Sequence, residues 1–213
     1  MRESPEAYTT PIPFERPGGA EILVSGGDYI TAHDPETGEE RWRFHYNPNK
    51  HPAYRQVVSP LAFGDIVVCV QPRHTTVFAF RAPQSGSHSF DEALWVYGGA
   101  VPDVVAPLHY RGRLYVMHGV QGKLACLEPE TGKEIWQQDL GVKNKFYASP
   151  SAADGRLYLI NIDGEAITIE AGDEYKELCR VSLGGRAVTG SIAIADNKLF
   201  IRGDDRLLCI GAK

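Results

Sequence analysis

The sequence holds few of the residues that build redox, metal or disulfide sites. Its 213 residues include four cysteines, which lie far apart, with no CxxC pair and no adjacent pair. Structural zinc sites usually take their ligands from close sequence pairs of cysteine or histidine. A zinc site is therefore not predicted. Buried, reduced thiols are the expected state of the cysteines, and a disulfide or redox role is the alternative.

The chain also lacks a strong charge excess and a long apolar segment. Its net charge is −5, so the clustered basic surface that nucleic-acid binding requires is not expected. No apolar run approaches the roughly 18 residues of a membrane span. The start, MRESPEAYTT, lacks the basic and then apolar regions of a signal peptide. We expect no nucleic-acid partner and no membrane span, in a chain that is either cytoplasmic or a piece of a longer protein.

Common catalytic motifs are missing as well. The sequence has no GxSxG, HExxH or GxxxxGK pattern. His109 and His118 flank one predicted hairpin, but no third metal ligand accompanies them. No catalytic, cofactor-binding or metal-binding residue is predicted.

A repeat is the most informative feature that is present. Residues 34–42 read DPETGEERW and residues 128–136 read EPETGKEIW, and more degraded units of the same kind lie between and after them. A small residue recurs in each unit at intervals of 41 to 47 residues, at Ala32, Ala79, Cys126, Thr168 and Cys209. A period of this length is typical of propeller blades.

Each unit contains short apolar runs bounded by Gly, Asp, Asn or Pro, which predicts four strands per unit. The fold class is therefore predicted as all-β, a β-propeller of four-stranded antiparallel blades, with four full blades and a partial fifth. We expect an N-terminal extension at 1–9 and a repeat domain at 10–213. Its units span approximately 10–56, 57–103, 104–146, 147–187 and 188–213. An open arc or part of an eight-bladed propeller is favoured, and a closed five-bladed ring is the alternative.

The repeated turn follows the pattern small-x-acidic-x-x-Thr-Gly-x-x-x-Trp. Its glycine can supply a positive φ at the exit of the turn. The tryptophan then falls on the fourth strand, where it can pack over a small residue and lock adjacent blades together. Structural docking roles are predicted for Ala32, Gly38, Trp42, Trp95, Cys126, Gly132 and Trp136.

This pattern resembles the tryptophan-docking repeat of the pyrroloquinoline quinone (PQQ) family of β-propellers. That family includes quinoprotein alcohol dehydrogenases and the BamB-like propellers of bacterial outer-membrane assembly. The resemblance covers roughly residues 10–211. It weakens in the second unit, where RAPQSGSHSFDEA (81–93) replaces the turn, and in the fourth, where Cys179 stands in the place of the tryptophan.

The two branches of the family imply different functions. Quinoprotein dehydrogenases typically hold PQQ with a disulfide between adjacent cysteines, an indole beneath the ring and a calcium site. Because these features are not matched, PQQ with calcium is not favoured and no cofactor is predicted. BamB-like proteins are periplasmic lipoproteins that help deliver outer-membrane proteins. The resemblance therefore implies a non-enzymatic, protein-binding scaffold outside the cytoplasm. A degenerate or partial PQQ-dependent dehydrogenase and a sensor propeller of a larger protein are the alternatives.

A candidate partner-binding mouth is predicted where the innermost strands begin. Basic and aromatic residues recur there in a chain of negative net charge, which suits an acidic or extended peptide partner. The candidate residues are Tyr54, Arg55, Asp103, Lys145, Phe146, Tyr147 and Arg186. Solvated loop cations or a site for an anionic small ligand are the alternatives. Self-association through open propeller edges is a further expectation about partners.

Overall fold

The regular secondary structure of the protein is almost entirely β-strand. The computed structural model describes residues 6–47, 55–71, 76–184 and 189–211. Within these ranges lie 20 strands, one 3-10 helix (Phe90–Glu92) and no α-helix. Across the same residues, no helix has the length and apolarity that a membrane crossing requires. The predicted all-β fold class is confirmed.

The chain divides into two compact units. Unit 1 comprises Met1–Asp103 together with Glu130–Gly132, and unit 2 comprises Val104–Pro129 together with Lys133–Lys213. Each unit is described by itself.

Unit 1 contains two sheets. The strand order is β1-β2-β3-β4-β8 in the first sheet, called blade 1, and β5-β6-β7-β9 in the second, called blade 2. The strands are β1 (Ile12–Arg16), β2 (Gly19–Ser25), β3 (Tyr29–His33), β4 (Glu40–His45), β5 (Leu61–Phe63), β6 (Ile66–Val70), β7 (Val77–Arg81), β8 (Gly86–Ser89) and β9 (Trp95–Tyr97).

Unit 2 contains three sheets, two with four strands and the last with three described strands. Blade 3 is β10 (Leu108–Tyr110), β11 (Arg113–His118), β12 (Lys123–Leu127) and β13 (Glu134–Asp139). Blade 4 is β14 (Ser151–Ala153), β15 (Arg156–Ile160), β16 (Glu165–Glu170) and β17 (Glu177–Ser182). Blade 5 is β18 (Ala193–Ala195), β19 (Lys198–Arg202) and β20 (Leu207–Gly211). Four full blades and a partial fifth were predicted, and the sheets confirm this count.

The cores follow from the alternation of side chains along the strands. In β4, Trp42 and Phe44 are buried, while the residues between them are partly exposed, as a strand with one covered face requires. The core of unit 1 is rich in aromatic rings, and the rings of Phe44 and Phe80 stack with centroids 3.9 Å apart. The main core of unit 2 is mostly aliphatic, with residues such as Leu157 and Ile167. Each core lies between sheets and not inside a single sheet.

Among the named strands of the described residues, the predicted antiparallel pattern has one exception, in the segment 81–93. Part of this insertion forms β8, which pairs in parallel with β4 from Trp42–Gly86 to His45–Ser89. The outer strand of a sheet carries unpaired N–H and C=O groups along its free edge, and β8 satisfies part of this edge in blade 1. The segment that replaces the turn of blade 2 is therefore a fifth strand of blade 1.

Two of the four cysteines differ from the buried state that the sequence predicts. All four are free thiols; Cys69 and Cys126 are buried as predicted, but Cys179 and Cys209 are exposed. The reason is their position, because Cys179 lies on β17, where every side chain is exposed, and Cys209 lies on β20, where four of the five are exposed.

Candidate protein-binding surface

The first acidic turn is held by its own aspartate. The carboxylate of Asp34 accepts hydrogen bonds from the backbone N–H groups of Glu36 and Thr37, both at 2.9 Å, and from the guanidinium of Arg41. These bonds, that of the Thr37 amide first, hold the pKa of Asp34 well below its ordinary value of 3.8. Gly38 completes the turn with φ +75°. The acidic, threonine and glycine positions of the repeat therefore build a turn.

The tryptophan that follows this turn is fully buried. Trp42 pairs with Ala32 on the neighbouring strand, and its ring meets Phe80 of blade 2 edge-on, with centroids 5.9 Å apart. Its indole N–H donates to the carboxylate of Glu21 at 3.0 Å. Glu21 is itself buried, and its charge is balanced by Arg16 at 3.8 Å and Arg41 at 3.7 Å. Sequence reasoning missed Glu21, although a charged residue at an inward-facing position of β2 is a readable signal.

Trp95 pairs with Ala79 in the same way. Its ring lies against Gly132, which belongs to unit 1. A Cβ added to Gly132 would stand 2.5 Å from Cδ2 of the indole, and the glycine has φ +67°. Gly132 is thus required both by the backbone conformation and by the close approach of the ring.

Trp136 repeats the arrangement inside unit 2. It pairs with Cys126, and its indole N–H donates to the carbonyl oxygen of Gly172 at 3.0 Å. The ring also meets Tyr175 edge-on, with centroids 5.6 Å apart. Gly172 and Tyr175 lie in the segment EAGDEY (170–175), where the fourth unit has lost most of the turn pattern. The sequence pattern did not single them out. The tryptophans of both nonapeptides therefore pack against residues of the following blade.

The three indoles differ in exposure. Trp42 and Trp95 are only 1% and 7% exposed. Trp136 is half-buried and lies beside Tyr115 and Tyr175. Among the described residues, no group of three or more His, Cys, Asp or Glu side chains is placed to hold a metal ion.

In unit 1, Arg55 of the predicted mouth lies exposed beside an aromatic ring. Its guanidinium stands 5.9 Å from the ring centroid of Tyr8, and Tyr8 is 63% exposed. The next residue, Gln56, is buried and donates from Nε2 to Ser25 Oγ at 3.2 Å and to the Val70 carbonyl at 3.0 Å. Gln56 therefore anchors the backbone that presents Arg55. Tyr8 was assigned to an N-terminal extension, so the sequence did not reveal its contribution.

In unit 2, Lys145 and Tyr147 occupy the matching position of the repeat. Lys145 is exposed and Tyr147 is 39% exposed. Between them, Phe146 is fully buried in the core, and its backbone N–H donates to the Gly119 carbonyl at 2.9 Å. The prediction that Phe146 offers contact area is wrong, because its ring points into the protein. Its burial holds Lys145 and Tyr147 in place on either side.

The remaining predicted residues give less information. Asp103 is half-buried in unit 1. Tyr54 and Arg186 lie outside the described residues. Neither Arg55 nor Lys145 has an ion pair within the described part of the chain, whereas Arg81 and Arg113 are each paired with two carboxylates. Each unit thus presents an exposed cation that forms no ion pair among the described residues; an exposed tyrosine lies beside Arg55 in unit 1 and two residues after Lys145 in unit 2.

Antiparallel sheets of four strands that recur along the chain are the blades of a β-propeller protein with PQQ-type repeats. The chain belongs to the family described as outer membrane protein assembly factor BamB, whose family model matches residues 27–177. A protein named outer membrane protein assembly factor BamB, from Marinobacter adhaerens, is 33% identical over 78 residues, which is 37% of this chain and 19% of that protein.

Solved structures show the same fold. The crystal structure of BamB from Moraxella catarrhalis matches 92% of this chain and 56% of its own, with a TM-score of 0.65 and 17% identity. The quinohemoprotein alcohol dehydrogenase ADHIIG from Pseudomonas putida HK5 matches 68% of this chain and 28% of its own, with a TM-score of 0.53 and 18% identity. The chain therefore spans about half the length of the BamB structure that it resembles and less of the dehydrogenase.

Proposed function

We propose that the chain is a non-enzymatic β-propeller scaffold that binds a protein partner through its strand-entry loops. The strand-entry loops are defined here by Arg55 and Tyr8 in unit 1 and by Lys145 and Tyr147 in unit 2. The observation that carries the proposal is that each unit exposes a cation without an ion pair among the described residues, with an exposed tyrosine beside it in unit 1 and two residues further along the chain in unit 2. Arginine and tyrosine are over-represented among the residues that dominate binding energy at protein interfaces.

The chemistry of the partner follows from these side chains. Cations that form no ion pair among the described residues favour an acidic partner, and tyrosines favour apolar or extended backbone segments. The name of the family connects it with the assembly of outer membrane proteins. Extended, acidic segments of proteins on that route are therefore the proposed ligands, and an extracytoplasmic location is proposed with them. We propose that this function requires neither PQQ nor calcium.

A defined peptide tests the proposal. The probe is a short fluorescent peptide in which glutamate alternates with valine and phenylalanine, and binding is followed by fluorescence anisotropy. Joint replacement of Arg55→Glu and Lys145→Glu is expected to weaken binding by about tenfold or more, and added salt is expected to weaken binding to the parent.

Two controls make the result specific. Lys198→Glu places one charge reversal of the same kind on β19, outside the strand-entry loops, and is expected to leave binding unchanged. A peptide with lysine in place of glutamate is expected to bind poorly. Equal binding by the parent and the double variant would overturn the proposal, and so would an equal loss in Lys198→Glu.

A further inference from the structure

The strand β8 is fastened at its ends but lightly held in its middle. Before it, the backbone N–H of Ala82 donates to the Asp65 carbonyl at 2.8 Å, and the Ala82 carbonyl accepts from Arg16 at 3.1 Å. After it, the ring of Phe90 meets Phe78 edge-on, with centroids 5.2 Å apart. Between these anchors, β8 contributes only Gly, Ser, His and Ser, and three of the four are exposed. Burial of apolar side chains therefore adds little to its attachment.

His88, the central residue of β8, is bonded at both ring nitrogens. Nδ1 lies 2.8 Å from a carboxylate oxygen of Glu92, and Nε2 lies 3.0 Å from the carbonyl oxygen of Ser85. Both partners can only accept hydrogen bonds. A neutral imidazole has one N–H and can donate to one of them, whereas the imidazolium donates to both. The geometry is complete only when His88 is protonated.

Glu92 links this histidine to the rest of the segment. Its second carboxylate oxygen accepts from the backbone N–H of Ser89 at 3.0 Å, so a single carboxylate holds the end of β8 and the ring of His88. The other charged group beside the ring is Arg81 of β7, which lines the same cleft of about 390 Å³. Arg81 is engaged by Asp65 at 2.8 Å and Glu130 at 3.1 Å. From β4, the uncharged ring of Phe44 also lines the cleft.

We propose that β8 is a pH-sensitive strap over the outer edge of β4, held closed by protonated His88 and released when His88 becomes neutral. Release exposes the unpaired backbone groups of β4, to which an extended strand can add. This surface shares no residue with the strand-entry loops, and the proposal does not depend on the function proposed for them.

The pH range follows from the two partners. The bonds to Glu92 and to the Ser85 carbonyl raise the pKa of His88 above its ordinary value of 6.5. The closed strap is thus favoured fully below pH 6.5 and loses this support as the pH rises through the raised pKa. The bond from His88 and the Ser89 amide lower the pKa of Glu92 below its ordinary value of 4.5. The contribution of ionised Glu92 to the closed strap is present above pH 4.5 and is lost as the pH falls through the lowered pKa.

Amide hydrogen exchange of β8 tests the proposal on the intact chain. Protection factors of Ser87–Ser89, corrected for the intrinsic pH dependence of exchange, are compared below pH 6.5 and well above it. They are expected to fall with rising pH, by up to about tenfold for each unit by which closure raises the pKa of His88. His88→Gln is expected to remove this change while the protection of β2 and β3 stays the same.

Two further variants make the outcome decisive. Glu92→Gln removes the carboxylate and is expected to shift the change to the ordinary histidine range near pH 6.5 or to abolish it. His33→Gln, the same substitution on β3, is expected to keep the parent behaviour. The proposal is overturned by equal protection of β8 at both pH values, or by an unchanged pH response in His88→Gln.

Discussion

The indole N–H of Trp136 donates to the carbonyl oxygen of Gly172, and this bond joins the outer strand of blade 3 to the last turn of blade 4. Trp95 and Gly132 stand in the same relationship, except that the ring lies against the glycine itself. In both cases a large ring rests on a glycine-containing turn of the repeat. A sheet that buries a face only against its neighbour depends on such contacts.

Replacing either turn glycine by alanine separates backbone strain from this contact. Gly38 and Gly132 have similar φ values of +75° and +67°, but a Cβ at Gly38 would meet nothing within 4 Å, whereas one at Gly132 would meet Trp95. Gly38→Ala should cost about 1–2 kcal/mol of unfolding free energy through the left-handed backbone alone. Gly132→Ala should cost about 1–3 kcal/mol more through overpacking. Urea denaturation measures both.

A double variant identifies the source of that difference. Trp95→Ala removes the ring, so Gly132→Ala in its presence should cost no more than Gly38→Ala does. A cost at Gly132 that equals the cost at Gly38 in the parent chain would contradict the contact.

The tryptophans should differ in their contribution to stability according to their burial. Trp42→Ala removes a ring that is 1% exposed and leaves the buried carboxylate of Glu21 without its indole donor. The expected loss is about 3–5 kcal/mol. Trp136 is half-buried, and its replacement by alanine should cost about 1–3 kcal/mol. Val96→Ala, at a side chain that is 50% exposed on β9, is the control and should change the urea midpoint little.

Much of this architecture could be predicted from the sequence. The glycine, acidic and tryptophan positions of the nonapeptide have local causes, a turn and an alternating strand, so the four-stranded sheets and the roles of Gly38 and Trp42 are readable. The partners of the indoles are not, because Glu21 and Gly172 lie in other strands and turns that no local pattern connects to them. The structure of segment 81–93 could not be predicted either, since it pairs with the free edge of β4, which lies some 40 residues earlier in the chain.

The candidate binding residues, too, were only partly predictable from the sequence. The spacing of the repeat placed Arg55 and Lys145 at matching points of two units, where both are exposed. It did not distinguish Phe146 from Tyr147, because two adjacent aromatic residues in a loop carry no alternation that tells which one is buried. Tyr8 was missed because its neighbour Gln56 is distant in sequence and joins it only through backbone bonds.

Quinone binding provides a test of the family branch. The three indoles are engaged between sheets and the cysteines are separate free thiols. We therefore expect that PQQ with calcium leaves the absorbance spectrum as the sum of its parts, and that no alcohol or sugar is oxidised. A quinone band shifted by the protein at saturating PQQ would contradict this expectation and favour a dehydrogenase-like chain.

The first acidic turn should respond to acid through Asp34. Since its folded-state pKa is held below the ordinary value of 3.8, its contribution to stability is fully present above pH 3.8 and is lost as the pH falls through the lowered pKa. Asp34→Asn keeps one acceptor oxygen for the turn but removes the charge, so the variant should be less stable than the parent near neutral pH and should converge with it in acid. Urea midpoints measured from neutral pH downwards follow this difference. Glu36→Gln changes an exposed position of the same turn, and its urea midpoint should follow that of the parent at each pH. A difference in urea midpoint between Asp34→Asn and the parent that stays constant at all pH values would show that the turn does not depend on the ionised carboxylate.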